Sequence, residues 1–438
     1  MTKKLAIIGA GPGGLATARV FLENTSDYDI TIFEKNAGVG GLWYYPENDR
    51  NGRVMYDNLE TNLDKRLMQF SGFPFEEKVR KFPLRQDVWK YLEDYYQTFI
   101  AKNGRVHLHF NTEVKSLEKA NDWIVKTIEV NDNNNKDKVE KVYDFDYVVV
   151  ANGHFTVPFF PKPVPGFKEW LENKAVLHAS EFQNGLFAKG KNVVVVGNGS
   201  SGTDIANQLS TLSDKVYNSI NKEVVSEEDH SPDDLFKTIP RIQSVDWSKH
   251  SVTLVDGEVI EGIDYLLYAT GYYYDFPFVL EPEKRAALLG NETEQHSLHV
   301  GSLWKQLIYA KDSSLAFSLI PLGIVPFPLA ELQASVIAKV FNGKIKVNPD
   351  SKNETNKKYD TGEDIAYYRD LQSILDKNGG AEDPLQPVKW DAALEKLRYD
   401  SANDKVERNK ILFHYAAQLR RQHEPYGIPD VTYTASKL

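Results

Sequence analysis

The 438-residue sequence predicts an α/β chain of two parallel-sheet domains, one inserted in the other. Four short apolar runs carry that prediction: LAIIG near Leu5, DYVVVANG near Tyr147, NVVVVGNGSSG near Val193 and DYLLYATGY near Tyr265. Runs of this length bounded by Gly or Asn are the pattern of strands buried on both faces. The first and third lead straight into glycine turns and then into helical stretches, Leu15 to Glu23 and Thr203 to Leu212. Strand, glycine turn and helix thus occur twice, and two Rossmann-like dinucleotide-binding domains use all four strands. The expected boundaries are residues 1–175 for the first part of one domain, 176–268 for the inserted domain, and 269–438 for the return with C-terminal helices.

Composition excludes several function classes. With 41% hydrophobic and 26% charged residues the chain can bury a large core, and its formal net charge of −10 gives no global basic field for nucleic acid or an anionic bilayer. Cysteine is absent, which excludes disulfide scaffolding, Cys-ligated zinc or iron–sulfur centres and any protein-thiol mechanism.

In chain order, MTKKLAIIGAGPGG begins like a signal peptide, but its glycines start at Gly9 and it reads better as a first strand, Leu5 to Ile8. Asn131 to Lys138 reads as an exposed hairpin tip, and Ser226 to Asp234 and Asn348 to Lys358 as surface loops. The apolar stretch Leu315 to Leu332 contains Pro321, Pro326 and Pro328, so it reads as buried core with a helix starting at Pro328 rather than a membrane span. Asp360 to Gln422 reads as helical, packed over the first domain. His107 with His109, and His296 with His299, lack a third ligand, so no metal site is expected.

The first glycine turn is Gly9-Ala10-Gly11-Pro12-Gly13-Gly14. Gly9 permits the tight turn, Gly11 lets backbone approach a pyrophosphate, and Gly14 lets the helix pack closely on its strand. The helix N-terminus offers unpaired N–H donors to the phosphates. A second strand, DITIFEK, ends at Glu34, where a carboxylate takes ribose hydroxyls and disfavours a 2′-phosphate; FAD or NAD fits better than NADP.

The second turn is Gly197-Asn198-Gly199-Ser200-Ser201-Gly202, before a helix carrying Asp204. The next strand, KVYNSI, has no acid at its end, and Ser219, Asn221 and Lys222 can accommodate a 2′-phosphate; Lys222 also fits a solvated loop lysine. This favours NADPH. A flavin that stores a hydride and a nicotinamide that delivers it give electron transfer. Disulfide reductases of that layout need a redox cysteine pair, which leaves dioxygen as the natural acceptor.

Beyond the two turns, the segments GVGGLWYY at Gly38, LETN at Leu59, FPLRQDVWKYL at Phe82, ANGHFTVP at Ala151, YATGYYYDFPF at Tyr268 and VPFPLAELQA at Val325 follow in order. Together with GAGPGG and GNGSSGTDIA they make the chain resemble the flavin-containing monooxygenase family, in particular its fungal thiol-oxidising branch. The family's identifying segment is here LENKAVLHASEF: His178 and Phe182 fit it, whereas Glu172 and Lys174 stand where Phe and Gly are expected. Baeyer–Villiger relatives carry Trp at the place of Phe182, so Phe182 leans toward heteroatom oxygenation, with His178 structural.

The resemblance implies FAD and NADPH/NADP⁺ as cofactors and oxidation of soft nucleophiles, with small thiols such as cysteamine or glutathione first and sulfides or amines next, through a C4a-hydroperoxyflavin. It implies that Gly41, Leu42 and Trp43 lie around the riboflavin side of FAD, Glu34 and Lys35 near its adenosine ribose, and the backbone of Val114, at the end of the alternating strand HLHFNTEV, near adenine. Asn62, as the catalytic residue, is placed beside flavin and nicotinamide ribose, with Thr61 bonding the same cofactor; turn capping is the other reading of both. Gln333 is a further flavin-facing candidate. ANGH and ATGY follow strand-like runs, so Asn152, Thr270 and Gly271 are expected beyond strand carboxyl ends near the cofactors. Rival readings are a Baeyer–Villiger or N-hydroxylating monooxygenase and a nucleotide-binding regulatory protein without turnover. The expected location is cytoplasmic, with peripheral attachment at the endoplasmic reticulum and a homo-oligomer left open.

Overall fold

A computed structural model describes residues 2–47, 50, 52–130, 140–226, 230–231, 235–290, 296–349 and 358–429. The proposed hairpin tip Asn131 to Lys138 lies outside the described residues, as do 227–229, 232–234 and 350–357 of the two expected surface loops. The chain divides into two compact units, one of Met1–Tyr44, Leu63–Val157 and Tyr273–Ala402, the other of Tyr45–Asn62, Pro158–Tyr272 and Asn403–Leu438.

In the first unit the expected strand, glycine turn and helix appear, followed by the second strand that leads to Glu34. Strand Lys3–Ile8 pairs in parallel with Tyr28–Phe33 on one side and Tyr147–Val150 on the other, within a seven-stranded sheet. The order is Leu303–Trp304, Ile308–Tyr309, Leu315–Phe317, Tyr147–Val150, Lys3–Ile8, Tyr28–Phe33, Val106–His109. Its central strands are fully buried on both faces, which is why LAII and VVV read as unbroken apolar runs. Helix Pro12–Asn24 covers one face and packs on helix Pro326–Phe341. That second helix starts two residues before the expected Pro328, because Pro326 occupies the first helical position, where its missing N–H has no intrahelical partner to lose. HLHFNTEV is two strands, Val106–His109 and Thr112–Lys119; Asn111, at φ 49°, turns the chain between them into a separate antiparallel sheet.

The second unit repeats the plan in a five-stranded parallel sheet. Its order is Lys237–Ile239, Lys215–Ser219, Asn192–Val196, Tyr265–Tyr268, Val176–His178. Asn192–Val196 is central, with helix Ser200–Leu209 after its turn. That helix begins three residues before the expected Thr203, since Ser200 and Ser201 serve as its first turn. The unit also takes up Tyr45–Asn62 and the part of the chain from Asn403 on, which the expected boundaries assigned elsewhere. Burial explains both additions: Tyr56 is 6% exposed, and Ala416, Leu419 and Tyr426 share an apolar cluster with it and with Val193, Ile205 and Leu267. Of the expected C-terminal helical region, helix Glu363–Lys377 and the start of helix Ala392–Gln422, as far as Ala402, are in the first unit.

Candidate functional site

Each unit carries one glycine turn, and the two turns share the same stereochemistry. Gly9 and Gly197 have φ of 106° and 111°, and a Cβ on them would meet the carbonyl oxygens of Ala151 and Ala269 at 2.5 and 2.7 Å. Those alanines follow the neighbouring parallel strands, so each turn lies at the carboxyl edge of its sheet. Gly14 and Gly202 hold their helices against the turn: a Cβ there would lie 2.0 and 2.1 Å from the Gly9 and Gly197 oxygens. Gly11 and Gly199 are the N-caps, extended and without any side-chain hydrogen bond to the helix, and neither first turn contains an acid. No side chain therefore caps the first N–H groups of these helices, which can receive phosphate oxygens.

In the first unit the other predicted residues gather around that turn. Glu34 is 3% exposed, and its two oxygens accept the N–H of Ala10 at 2.7 Å and of Asn36 at 2.8 Å. A carboxylate of this kind accepts hydrogen bonds only, the chemistry that a ribose hydroxyl needs. Gly41, Leu42 and Trp43 form a single 3₁₀ turn after Gly40, whose N–H donates to Ala10 O at 3.0 Å. A Cβ on Gly41 would come within 2.8 Å of Gly11 Cα, so only glycine lets these two backbones approach so closely. Val114 is buried, and Thr112 N–H donates to Glu34 O at 2.9 Å, which brings this strand beside the Glu34–Lys35 corner. Lys35 is exposed. These features fit FAD: unpaired helix donors, a glycine-only approach and a buried carboxylate. Gln333 is buried, and its side chain is engaged within the first unit. Its Oε1 accepts the Leu319 N–H at 2.8 Å and its Nε2 donates to Tyr367 at 3.1 Å. Asn152 donates to Asp275 O at 3.0 Å.

The second turn is open. Asn198, Gly199, Ser200 and Ser201 are exposed, Gly202 is buried, and a Cβ on Gly199 would meet nothing within 4 Å. Asn218 pins the turn by donating to Gly197 O at 2.8 Å. Ser219 is buried and its hydroxyl donates to Pro240 O at 3.0 Å, so its one donor is unavailable to a 2′-phosphate. Asn221 and Lys222 are exposed, and Lys222 O accepts the N–H of Arg241 at 3.0 Å, while the Arg241 guanidinium is ion-paired with Glu223 at 3.2 Å. An open glycine cradle, with exposed Lys222 after the next strand, fits NADPH. Thr270 and Gly271 are engaged with Phe159: the Thr270 hydroxyl donates to its carbonyl, and Gly271 O accepts its N–H at 2.9 Å.

Thr61 is buried and Asn62 exposed. Within the second unit, Glu60 just before them is clamped by Lys405 at 2.9 Å and by Arg408 through both oxygens, the closest contact 2.8 Å. These cations hold the Glu60 carboxyl below its usual range against the opposing effect of burial. In the first unit, Asp64 N–H donates to Ser401 Oγ at 3.0 Å. Sequence reading missed these partners because each lies more than three hundred residues from the segment it holds.

His178 is structural in its contacts. It is 1% exposed, its Nδ1 accepts the Ser180 N–H at 3.1 Å, and its backbone N–H donates to Glu181 at 2.8 Å. Burial pushes its pKa from 6.5 down to about 4. The unfolded chain therefore takes up a proton first, and stability present above pH 6.5 is lost as pH falls toward 4. His178→Asn, which keeps an acceptor for Ser180, is expected to flatten the fall of Tm with acid in that window. The change amounts to about 1.4 kcal/mol per pH unit and is read by calorimetry at a series of pH values.

Among the described residues no group of three or more His, Cys, Asp or Glu side chains is arranged to hold a metal ion, and no helix is long and apolar enough to cross a membrane. The flavin-binding monooxygenase-like family model matches residues 2–226 and 218–377. A Saccharomyces cerevisiae protein named thiol-specific monooxygenase is 45% identical over 434 residues, 98% of each chain. An Arabidopsis thaliana flavin-containing monooxygenase, FMO GS-OX-like 8, is 31% identical over 78% of this chain and 76% of its own. The solved S-allyl-L-cysteine S-oxygenase of Allium sativum shares the fold with a TM-score of 0.72 at 24% identity, over 97% of this chain and 99% of that one. Two glycine cradles, one suited to FAD and one to NADPH, are what that family requires, and the chain belongs to the flavin-binding monooxygenase-like family.

Proposed function

We propose that this protein is an NADPH- and O₂-dependent flavoprotein monooxygenase that oxidises small thiols such as cysteamine or glutathione to disulfides. The observation that carries the reading is near-full-length similarity to the thiol-specific monooxygenase of Saccharomyces cerevisiae. When bound, FAD supplies the redox chemistry, accepting a hydride from NADPH and passing an electron pair to dioxygen. The chain's own residues bind and orient. Gly9 to Gly14 present helix N–H groups to the FAD pyrophosphate, Glu34 with Lys35 takes the ribose end, Gly41 to Trp43 and the Val114 backbone flank the rings, and Gly197 to Gly202 do the same for NADPH. Thr61, Thr270 and Gly271 complete the cofactor set. Asn62 is assigned to the reaction centre, where its amide can donate and accept at once.

The balance is 2 RSH + O₂ + NADPH + H⁺ → RSSR + 2 H₂O + NADP⁺. One oxygen atom goes to a thiol sulfur and the other to water; a second thiol then displaces hydroxide from the sulfenic acid. With no cysteine, the chain offers that sulfenic acid no protein thiol to capture. A cytoplasmic location belongs to the same reading, since a reducing compartment keeps small thiols available.

A panel of cysteamine, glutathione, a tertiary amine and a cyclic ketone tests it. Thiol-dependent NADPH oxidation with one disulfide per NADPH is expected; ester formation from the ketone without thiol oxidation would overturn it. In Asn62→Ala, disulfide formation should fall about 10²-fold, with hydrogen peroxide replacing it, while NADPH still reduces the flavin.

A further inference from the structure

Helix Ser200–Leu209, which opens on the second glycine cradle, carries two polar side chains one turn apart, Asp204 and Gln208, that serve no phosphate. Tyr56, 6% exposed, donates its hydroxyl to Asp204 Oδ2 at 2.6 Å. Gln208 Nε2 donates to the same oxygen at 3.0 Å and to Asn58 O at 3.1 Å. Asn58 in turn donates to Tyr426 O at 2.9 Å, and Asp57 accepts from Arg50 at 2.8 Å and from Asn184 at 3.1 Å. With the Glu60 clamp, four consecutive or near-consecutive residues are each fixed inside the second unit, and the chain reaches Asn62 two residues later. Packing alone does not call for this arrangement: Phe at Tyr56 and Leu at Asp204 would fill the same space without burying a carboxylate.

We propose that Asp204, acting through Tyr56, is a positioning residue that ties the NADPH-binding helix to the segment holding Asn62, so that nucleotide on the helix stiffens that segment. The proposal rests on the role of Asn62 given above. Phosphate drawn onto the N–H groups of Ser200 to Gly202 restrains the helix, and Asp204 and Gln208 pass the restraint to Tyr56 and Asn58. Burial raises the Asp204 carboxyl to about 6, opposed by the hydrogen bonds from Tyr56 and Gln208 and by the charge of Lys405, and reinforced by Glu60. The link is therefore tightest above pH 6, where Tyr56 donates to a carboxylate, and weakens as pH falls through it.

Hydrogen exchange of the peptide spanning Tyr56 to Asn62 tests this in the full FAD-loaded chain with and without NADP⁺, at neutral and mildly acidic pH. In the wild type, NADP⁺ should slow exchange about tenfold at neutral pH and less in acid. Tyr56→Phe should lose most of that slowing while the NADP⁺ dissociation constant, read by nucleotide titration, changes less than about threefold. Asp204→Asn, which still accepts from Tyr56, should keep the slowing and lose its pH dependence. Unchanged slowing in Tyr56→Phe, or unchanged pH dependence in Asp204→Asn, would overturn the link. Should Tyr56→Phe not fold, the Asp204→Asn comparison decides alone. Peroxide released per NADPH in the same samples separates the two ideas: lost slowing with no change in peroxide upholds the link and counts against the role of Asn62.

Discussion

Gly14→Ala is expected to yield a protein that purifies colourless and does not regain a flavin spectrum when FAD is added. The added methyl would lie 2.0 Å from Gly9 O and 3.3 Å from Ile7 Cγ2. Gly9 cannot retreat, because its own position is set by φ 106° and by the Ala151 carbonyl. Helix Pro12–Asn24 must therefore lift from the strand, which withdraws its N-terminal N–H groups from the pyrophosphate. Overpacking of this kind costs about 2–3 kcal/mol, a fall in Tm of several degrees for a unit of this size. Gly104→Ala, with nothing within 4 Å of the new methyl, is the control that should keep both colour and Tm. Full flavin content in Gly14→Ala would refute the assignment of this turn to FAD.

Gly199→Ala should behave differently. Its Cβ meets no protein atom within 4 Å and its φ of −68° suits any residue, so fold, Tm and flavin content should be unchanged. The methyl occupies only the space that a pyrophosphate would approach. Loss of about 1.4–3 kcal/mol of nucleotide binding is a ten- to hundredfold rise in KM for NADPH. Rapid-mixing anaerobic reduction, with dithionite reduction as the cofactor-independent comparison, would show slow reduction by NADPH and normal reduction by dithionite. An unaltered NADPH dependence would mean that the nucleotide phosphates bind elsewhere.

Much of this was legible because the features are local. LAIIG and NVVVV announce doubly buried strands, and GAGPGG and GNGSSG each combine a turn, a helix start and a close approach within six residues. The resemblance to monooxygenases rested on such short segments and extended the reading to the cofactors. Long-range partnerships left no local mark. Asp204 was visible as a helix residue, but Tyr56, which meets its carboxylate, lies 148 positions earlier. Glu60 looked like one acid in LETN until Lys405 and Arg408 enclosed it. Ser219 misled for the opposite reason: its residue type suited phosphate, while tertiary packing had already committed its hydroxyl to Pro240. The compact units are also cut differently from the expected domains, since a contiguous insert is the simplest reading of a chain, while the second unit gathers three separated pieces.

The second unit's composition from three separated pieces has a consequence for how the protein is made. Tyr45–Asn62 leaves the ribosome before the glycine cradle, and the stretch from Asn403 after it. Glu60 therefore waits for the synthesis of more than three hundred further residues before the two cations that neutralise it appear. The half-built intermediate exposes apolar surface that Ala416 and Leu419 later cover, a window in which chaperones have a natural client. For the same reason, a gene fragment cut at the apparent ends of the nucleotide insert encodes neither its first anchor nor its last cover.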